Sequence, residues 1–241
     1  MFFLFIVTFF RVLEKNRMTP VNSFEIKTCA LIVQMDGQPS AINLRELRDR
    51  SEHCSAESIY HHFCETQLRP TFDDPEFTND FATWVYRVIR DDILAERLGI
   101  IDPGASGSVE ELRAALHDTI ENRLAEIDHI SMAEPGHGFY FMRSSMLCFD
   151  TEMTLDKPED IMWALRRMTR PSVYYNFIET RTKIENRNSD ILSWLRTGGT
   201  VGESLADAFE RVDFQHYTLR ALRHELLYRA HRILGEGATE V

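Results

Sequence analysis

The apolar residues of the chain have two kinds of spacing, one typical of strands and one typical of helices, in segments that follow one another. Residues 24–35 are rich in β-branched and apolar side chains and end at Asp36-Gly37, a pair typical of turns. This segment predicts a strand. Residues 42–47 then have the apolar spacing of a short amphipathic helix. A second aromatic and apolar run at residues 139–149 predicts another strand, and helical spacing resumes after it.

A nine-residue segment of the chain occurs twice. Residues 58–66 and 172–180 share the same amino acid at five of nine positions, namely Ser, Tyr, Phe, Glu and Thr. A second pair of segments, 79–84 and 189–194, both have aspartate at the second position and tryptophan at the sixth. We interpret these matches as an internal duplication. The predicted fold is α+β and predominantly helical, with two tandem copies of a strand-plus-helices unit packed as a pseudo-twofold pair.

The duplication divides the chain into two predicted repeats. The first repeat, a helical α+β unit, covers residues 24–130, and its diverged copy covers residues 139–234, with a linker at 131–138. Residues 235–241 are interpreted as a frayed tail. Residues 1–23 are interpreted as a tail or a wrongly assigned start, because the apolar run that opens them has no basic flank or cleavage site and is too short to cross a bilayer. A weak surface anchor is the alternative for this run.

The repeated segment of the first copy predicts a helix with two different faces. Its inward face is predicted to carry Ile59, Tyr60 and Phe63. The opposite face carries His61, Glu65 and Arg69 at i, i+4 spacing. The second copy keeps Glu179 and Lys183 at the equivalent positions. A glutamate followed by a cation at this spacing is typical of a solvated helix face, so we expect Glu65 to be structural.

Charge and cysteine content narrow the class of partner. The net charge is −11, and a surface of this sign repels phosphate backbones, so no nucleic acid partner is expected. No segment is long and apolar enough to predict a membrane span. The four cysteines have no C-x-x-C spacing, and two of them fall within apolar runs. This favours buried free thiols in a reducing cytoplasm over disulfides or a zinc site.

His61 and His62 are the residues most suggestive of chemistry. Two metal ligands on one helix need a spacing of three or four residues, whereas adjacent side chains point about 100° apart. The second copy has Tyr175 and Asn176 at these positions, so either the histidines reflect neutral drift or a site persists in one copy only. We favour a hydrogen-bonded or surface role for them over catalysis or metal binding, and we predict no metal and no cofactor.

Two further pairs of polar residues are candidate binding residues. Asn79 and Asp80 stand where a helix is predicted to begin. Asp80 could act as a general acid or base, but a role at the helix start explains both residues. Arg220 and Arg223 lie on a basic face of the C-terminal helix that could hold an anion or an acidic partner, with a solvated surface as the alternative. The chain contains no Walker A, G-x-G-x-x-G, G-x-S-x-G or H-E-x-x-H motif.

Three segments of the first repeat resemble the signature of an uncharacterised prokaryotic domain family. They are SIYHHF at residues 58–63, NDFATW at 79–84 and LAERL at 94–98. In that family an aromatic-then-histidine helix is followed by Asn-Asp-Phe-x-x-Trp and then Leu-Ala. The resemblance covers residues 24–127, and the second copy departs from it at Tyr175, Asn176 and Ser189. It implies the repeat boundaries and carries no activity.

The missing catalytic motifs, beside many capping and packing signals, favour a non-enzymatic interaction or regulatory module located in the cytoplasm. Its partner is an unknown protein or small molecule. Whether the protein is an enzyme stays open, although the missing motifs weigh against it. The alternative is a small-molecule or metal-dependent hydrolase with His61, His62 and Asp80 in a cleft between the copies. The two hypotheses differ in whether these side chains, with Asn79, converge on a cavity or bind backbone groups and helix ends.

Overall fold

A computed structural model of the chain describes residues 23–68, 76–179, 190–214 and 217–235. Over these residues the chain forms ten α-helices and one antiparallel sheet of two strands, so the predicted α+β, predominantly helical class is confirmed. The predictions for the tails at both ends, and for Arg69 and Lys183, lie outside the described residues.

The order of elements is similar in the two halves of the chain. The first half forms β1 (Phe24–Met35), α1 (Leu44–His53), α2 (Ala56–Cys64), α3 (Asp80–Trp84), α4 (Asp92–Gly99) and α5 (Val109–Glu126). The second half forms β2 (Met142–Leu155), α6 (Ile161–Arg167), α7 (Arg170–Val173), α8 (Asp190–Arg196), α9 (Gly199–Glu210) and α10 (Leu219–Leu234). Helices α3 and α7 each continue as a π-helical turn, Val85–Ile89 and Tyr174–Glu179, and short 3-10 turns cover Thr66–Leu68 and Pro158–Asp160.

The two strands pair along their whole length as an antiparallel ribbon. Phe24 lies opposite Leu155 at one end and Met35 lies opposite Met142 at the other, with a bulge beside Ile26. The prediction for β1 is confirmed with its bounds. The second strand begins and ends later than the predicted 139–149, and residue 139 pairs with residue 41 in an isolated bridge before the ribbon starts.

The hydrogen-bonding phase of the ribbon follows from one contact at its end. The N–H of Asp36 donates to the carbonyl of Phe141 at 2.9 Å, directly after the pair formed by Met35 and Met142. Antiparallel pairs alternate between hydrogen-bonded and non-hydrogen-bonded positions. Met35 and Met142 therefore form a non-hydrogen-bonded pair, and their backbone N–H and C=O groups point away from the partner strand, toward the edges of the ribbon.

The buried apolar residues form two cores, and each core receives a strand end from the other half of the chain. Lobe 1, formed by α1–α5, also buries Phe139 and Phe141, which immediately precede β2. Lobe 2, formed by α6–α10, also buries Ile26 and Cys29 from the start of β1. Each strand thus begins in the core of one lobe and leads into the helices of the other. This exchange joins the lobes through the ribbon.

A tryptophan in each lobe packs against the phenylalanine that the other half of the chain supplies. Trp84 in lobe 1 meets Phe139 edge to face with ring centroids 5.8 Å apart, and its Nε1–H donates to the carbonyl of His137 at 2.8 Å. Trp194 in lobe 2 meets Phe24 with ring centroids 5.6 Å apart. Aromatic pairs at these distances add about 0.5–1.5 kcal/mol to the burial of the rings. Both tryptophans therefore hold an exchanged strand end.

Both repeated helices begin at a capping side chain. The hydroxyl of Ser55 accepts the N–H of Ser58 at 3.2 Å and begins α2. The hydroxyl of Thr169 accepts the N–H of Ser172 at 3.3 Å and begins α7. Such a cap is worth about 1 kcal/mol, because it satisfies a donor that the first helical turn leaves free.

The prediction that His61 and Glu65 lie on a solvated helix face is wrong. His61 is 0% exposed and Glu65 is 3% exposed, and Glu179 in the second half is 4% exposed. The reason is tertiary: β2 crosses this side of α2 and places Ser144 against Glu65. The prediction that the apolar side of α2 faces inward is confirmed, because Ile59 packs in the core of lobe 1.

No helix in the described part of the chain is long and apolar enough to span a membrane.

Candidate functional site

Helix α2 positions His62 where its two ring nitrogens contact two other elements. The ring is 3% exposed, and its Nδ1 lies 2.6 Å from Oδ2 of Asp80, the first residue of α3. Its Nε2 accepts the backbone N–H of Met142 at 2.9 Å. Because Nε2 is an acceptor, the ring hydrogen is on Nδ1 and is donated to Asp80. The imidazole is neutral in this arrangement, and both of its nitrogens are engaged.

The hydrogen bond from Met142 to His62 satisfies a backbone N–H at one edge of the ribbon. The N–H of Met142 points away from β1, as the phase of the ladder requires, so no strand is available to accept it. On the other side of the ribbon, the side chain of Asn176 binds the backbone of Lys27 in the same way. Its Nδ2 donates to the carbonyl of Lys27 at 2.7 Å, and its Oδ1 accepts the N–H of Lys27 at 3.5 Å. These two side chains therefore bind the two edges of the ribbon.

A second buried polar group lies one residue earlier on α2. Nδ1 of His61 lies 2.6 Å from Oε2 of Glu65, and the hydroxyl of Ser144 donates to the same carboxylate oxygen. Nε2 of His61 is buried and makes no hydrogen bond within the described part of the chain. The His61 and His62 rings meet edge to face, with centroids 5.2 Å apart, and their Nδ1 atoms contact different carboxylates, Glu65 and Asp80. The histidines do not converge on a common point.

Tyrosines from each half of the chain reach into the other half. The hydroxyl of Tyr60 donates to Oε2 of Glu179 at 2.8 Å, and the hydroxyl of Tyr174 donates to the carbonyl of Cys64 at 3.1 Å. Burial, followed by the nearby Tyr60, raises the pKa of the Tyr174 phenol well above its ordinary value. Burial likewise raises the pKa of the Cys64 thiol, which is therefore neutral. This junction between the lobes is held by polar contacts as well as by the ribbon.

Asn79 and Asp80 hold the start of α3. Asn79 is 2% exposed, its Oδ1 accepts the N–H of Ala82 at 2.9 Å, and its Nδ2 donates to the carbonyl of Leu98 at 2.9 Å. It therefore caps α3 and ties that helix to the end of α4. Oδ2 of Asp80 contacts Nδ1 of His62. Asn79 therefore stabilises the start of α3, and Asp80 contacts the histidine that binds the ribbon.

Arg220 and Arg223 lie apart from these residues, on α10 of lobe 2. Arg220 is exposed, whereas the guanidinium of Arg223 donates to the carbonyl of Met168 at 2.9 Å, at the end of α6. A carbonyl at a helix end is a natural partner for a cation, since it lies at the negative end of the helix dipole. The structure thus gives Arg223 a packing contact and leaves Arg220 on the surface.

Within the described residues, no group of three or more histidine, cysteine, aspartate and glutamate side chains is placed to hold a metal ion. In the polar region between the lobes this agrees with the separate partners of the two histidines: Nδ1 of His61 contacts Glu65, and both nitrogens of His62 are engaged elsewhere.

A surface cleft of about 370 Å³ in lobe 1 contains polar residues that the sequence did not indicate. It lies at the junction of the π-helical turn, α4 and α5, and Arg90, Asp91, Arg123 and His129 line it. Arg123 binds Asp91 with an Nε–Oδ2 distance of 2.8 Å. Arg90 has a left-handed backbone, with φ 60° and ψ 41°, and makes no ion pair among the described residues. A left-handed arginine gives no signal in a sequence, where glycine is the expected residue.

The fold and the polar region together define a class of protein: two helical lobes that exchange strand ends through a shared two-stranded ribbon, with buried polar side chains on the ribbon edges. No curated protein matches the chain. The chain belongs to a family of unknown function, DUF5752, whose model matches residues 21–230. The expected membership of an uncharacterised family is confirmed, and the match covers both lobes.

A solved structure shares this architecture. The chain is similar to OrfY from Thermoproteus tenax, with a TM-score of 0.72 and 26% sequence identity over 89% of this chain and 97% of that chain. Coverage of nearly the whole of both chains means that the likeness includes both lobes and the ribbon.

Proposed function

We propose that the protein is a non-enzymatic binding or regulatory module. The observation that carries this proposal is the engagement of both nitrogens of His62, by Asp80 and by the backbone of Met142. A general base needs a free lone pair within reach of a substrate. The only lone pair on the neutral His62 ring accepts a backbone N–H of the ribbon, so the histidine and aspartate pair acts in structure rather than in turnover.

We further propose that the two lobes arose by duplication and are related by a pseudo-twofold axis through the ribbon. Three matched pairs of positions at a constant offset of 115 residues support this (142 − 27, 139 − 24 and 144 − 29). The three pairs are Lys27 and Met142 at the ribbon edges, Phe24 and Phe139 beside the tryptophans, and Cys29 and Ser144 near the buried glutamates. Leu31 and Met146 differ by the same offset and face each other, which is where such an axis would cross.

The cleft beside Arg90 is the place where we propose that a small polar ligand with an anionic group binds. A non-glycine residue in the left-handed region costs roughly 1–2 kcal/mol, and such residues concentrate at ligand sites. Arg90 is exposed and lines the cleft together with Asp92, His129 and the Arg123–Asp91 pair. A carboxylate or phosphate group could form a charge-assisted hydrogen bond with the Arg90 guanidinium there.

We also propose a cytoplasmic location without a nucleic acid partner. The net charge of −11 disfavours binding to phosphate backbones, and three of the four cysteines are buried as free thiols, as in proteins of reducing compartments.

A thermal-shift screen over divalent metals, nucleotides and sugar phosphates tests the function. We expect metals to give no shift and the purified protein to contain no stoichiometric metal. A ligand shift, when present, is retained in His62→Gln and lost in Arg90→Gly. The matched control is Glu152→Gly, which relieves the same kind of left-handed strain (φ 59°) outside the cleft.

The hydrolase alternative makes the opposite prediction for the same variants. A bound metal at one equivalent, or a turnover that His62→Gln abolishes while the protein stays folded, would overturn the non-enzymatic assignment. A ligand shift that survives Arg90→Gly would move the binding site away from the cleft.

A further inference from the structure

Two cysteines face each other across the ribbon. Cys29 of β1 lies directly opposite Cys148 of β2. This pair is six residues along β1 from the pair of Met35 and Met142, so by alternation it is also a non-hydrogen-bonded pair. Cα atoms in such pairs lie about 4.5 Å apart, within the range of roughly 4.4–6.8 Å that a disulfide spans. The ribbon therefore places two thiols at a spacing that one S–S bond can bridge.

The surroundings of the two thiols differ. Cys148 is exposed, whereas Cys29 is 5% exposed and lies 3.5 Å from the carbonyl of Pro171. Burial, followed by the nearby Cys148 and the glutamates Glu179 and Glu65, raises the pKa of the Cys29 thiol to about 12. An oxidant in solution thus reaches Cys148 first, and Cys29 is the protected partner behind it.

We propose that Cys29 and Cys148 form an oxidation-sensitive dithiol, in which a peroxide converts the two thiols into a disulfide that joins β1 to β2. In the first step the Cys148 sulfur attacks hydrogen peroxide, the O–O bond breaks, and sulfenic acid and water form. In the second step the sulfur of Cys29 attacks the sulfenic sulfur, its S–H proton leaves, and the S–O bond breaks as water departs. Two thiols and one peroxide give one disulfide and two waters.

The crosslink would tie the ribbon at a point where both lobes depend on it. Cys29 packs in the core of lobe 2, and β2 starts from residues packed in lobe 1. The bond would close a loop of 119 residues (148 − 29), which restricts the unfolded chain strongly. We expect oxidation to raise the unfolding midpoint by about 5–10 °C.

The other two cysteines serve as internal controls. Cys54 is buried in lobe 1 and contacts the guanidinium of Arg113, with 3.5 Å between Sγ and Nη1. Cys64 packs in the same core. Neither residue occupies a ribbon position, so neither has a thiol directly opposite it in the sheet.

The experiment treats the full-length protein with hydrogen peroxide and compares it with Cys148→Ser, a change at an exposed position. In the wild type we expect the free thiols to fall from four to two, the mass to fall by two hydrogens, and peptide mapping to link Cys29 with Cys148. Dithiothreitol should restore all four thiols and the lower unfolding midpoint. Cys148→Ser should keep three thiols and an unchanged midpoint.

Two results would overturn the proposal. One is a Cys148 that proceeds to sulfinic acid or to a disulfide between two chains while Cys29 remains a free thiol. The other is a linked pair that includes Cys54 or Cys64. The rate at which preformed Cys148 sulfenic acid closes to the disulfide, followed after the peroxide is removed, gives a further check: it should rise about tenfold per pH unit between pH 7 and 9, because Cys29 must lose its proton to react. A rate independent of pH contradicts Cys29 as the resolving thiol.

Discussion

Replacement of His62 tests whether its hydrogen bonds stabilise the fold. His62→Ala leaves the N–H of Met142 without its acceptor and removes the ring N–H that Asp80 accepts. It also removes a ring whose centroid lies 4.7 Å from that of Phe139 and 5.4 Å from that of Phe81. A buried donor left unsatisfied costs about 1–3 kcal/mol, and truncation of a buried ring to alanine costs about 3–5 kcal/mol. Since the two losses overlap, we expect His62→Ala to lower the free energy of unfolding by about 4 kcal/mol.

The conservative replacement separates hydrogen bonding from volume. In His62→Gln the side-chain oxygen can take the place of Nε2 and accept the N–H of Met142, so we expect a loss of only about 1–2 kcal/mol. Urea unfolding followed by circular dichroism measures both, and the midpoint of His62→Ala should fall by about 1–2 M. His117→Ala, at a partly exposed position, should change stability by less than about 0.5 kcal/mol. Equal, small effects of the alanine and glutamine variants would refute a structural role for His62.

Three further predictions concern the lobe junction, the buried thiol and the cleft. Tyr60→Phe should lower the free energy of unfolding by about 1.5–3 kcal/mol, because a hydrogen bond to the buried Glu179 is lost, and urea unfolding checks this. The pKa of Cys29, raised to about 12 by burial, predicts stability that is fully present below the unfolded value near 9 and is lost between pH 9 and 12; a Cys29→Ala variant should flatten that part of the stability profile. Arg90→Gly and Glu152→Gly should each raise stability by roughly 0.5–1 kcal/mol in thermal unfolding, since both relieve a left-handed backbone.

Each of these predictions has a contradicting outcome. A Tyr60→Phe variant as stable as the wild type would mean that the hydroxyl contributes nothing across the lobes. Alkaline unfolding that is equally steep in Cys29→Ala would assign the pH dependence to other groups. Destabilisation by Arg90→Gly would show that its backbone is not strained.

Local signals in the sequence predicted the parts of the fold that depend on neighbouring residues. The strand at Phe24–Met35 followed from its β-branched residues and its turn signal, and the cap at Asn79 followed from its place before an apolar helix. Both depend on interactions within a few residues. The same holds for the helical second half after β2, whose apolar spacing is regular.

The exchange of strand ends could not be predicted, because it depends on contacts between distant residues. Phe139 was expected to begin a strand, yet it lies in the core of lobe 1 against Trp84. The same distant packing explains the wrong assignment of His61 and Glu65 to a solvated face. Their i, i+4 spacing is equally consistent with a surface pair and with a buried one, and only the crossing of β2 decides between them.

The candidate residues illustrate how a suggestive pattern can serve packing. A histidine beside an aspartate is common in catalytic sites, and the sequence alone left that alternative open. Met142 lies at the edge of the ribbon, and its backbone N–H donates to His62. Asn176 binds the backbone at the other edge in the equivalent way. The cleft at Arg90 was missed because left-handed arginines carry no signal in the sequence.

The cooperative unfolding of the two lobes tests the central claim most directly. The exchanged strand ends should make the lobes unfold together, because neither core is complete without residues from the other half of the chain. Fluorine NMR of protein labelled with fluorotryptophan follows Trp84 and Trp194 separately through one urea titration. We predict that the native signals of both residues disappear at the same midpoint. Two separate midpoints would contradict the account, since each lobe would then be stable without the strand end that it receives.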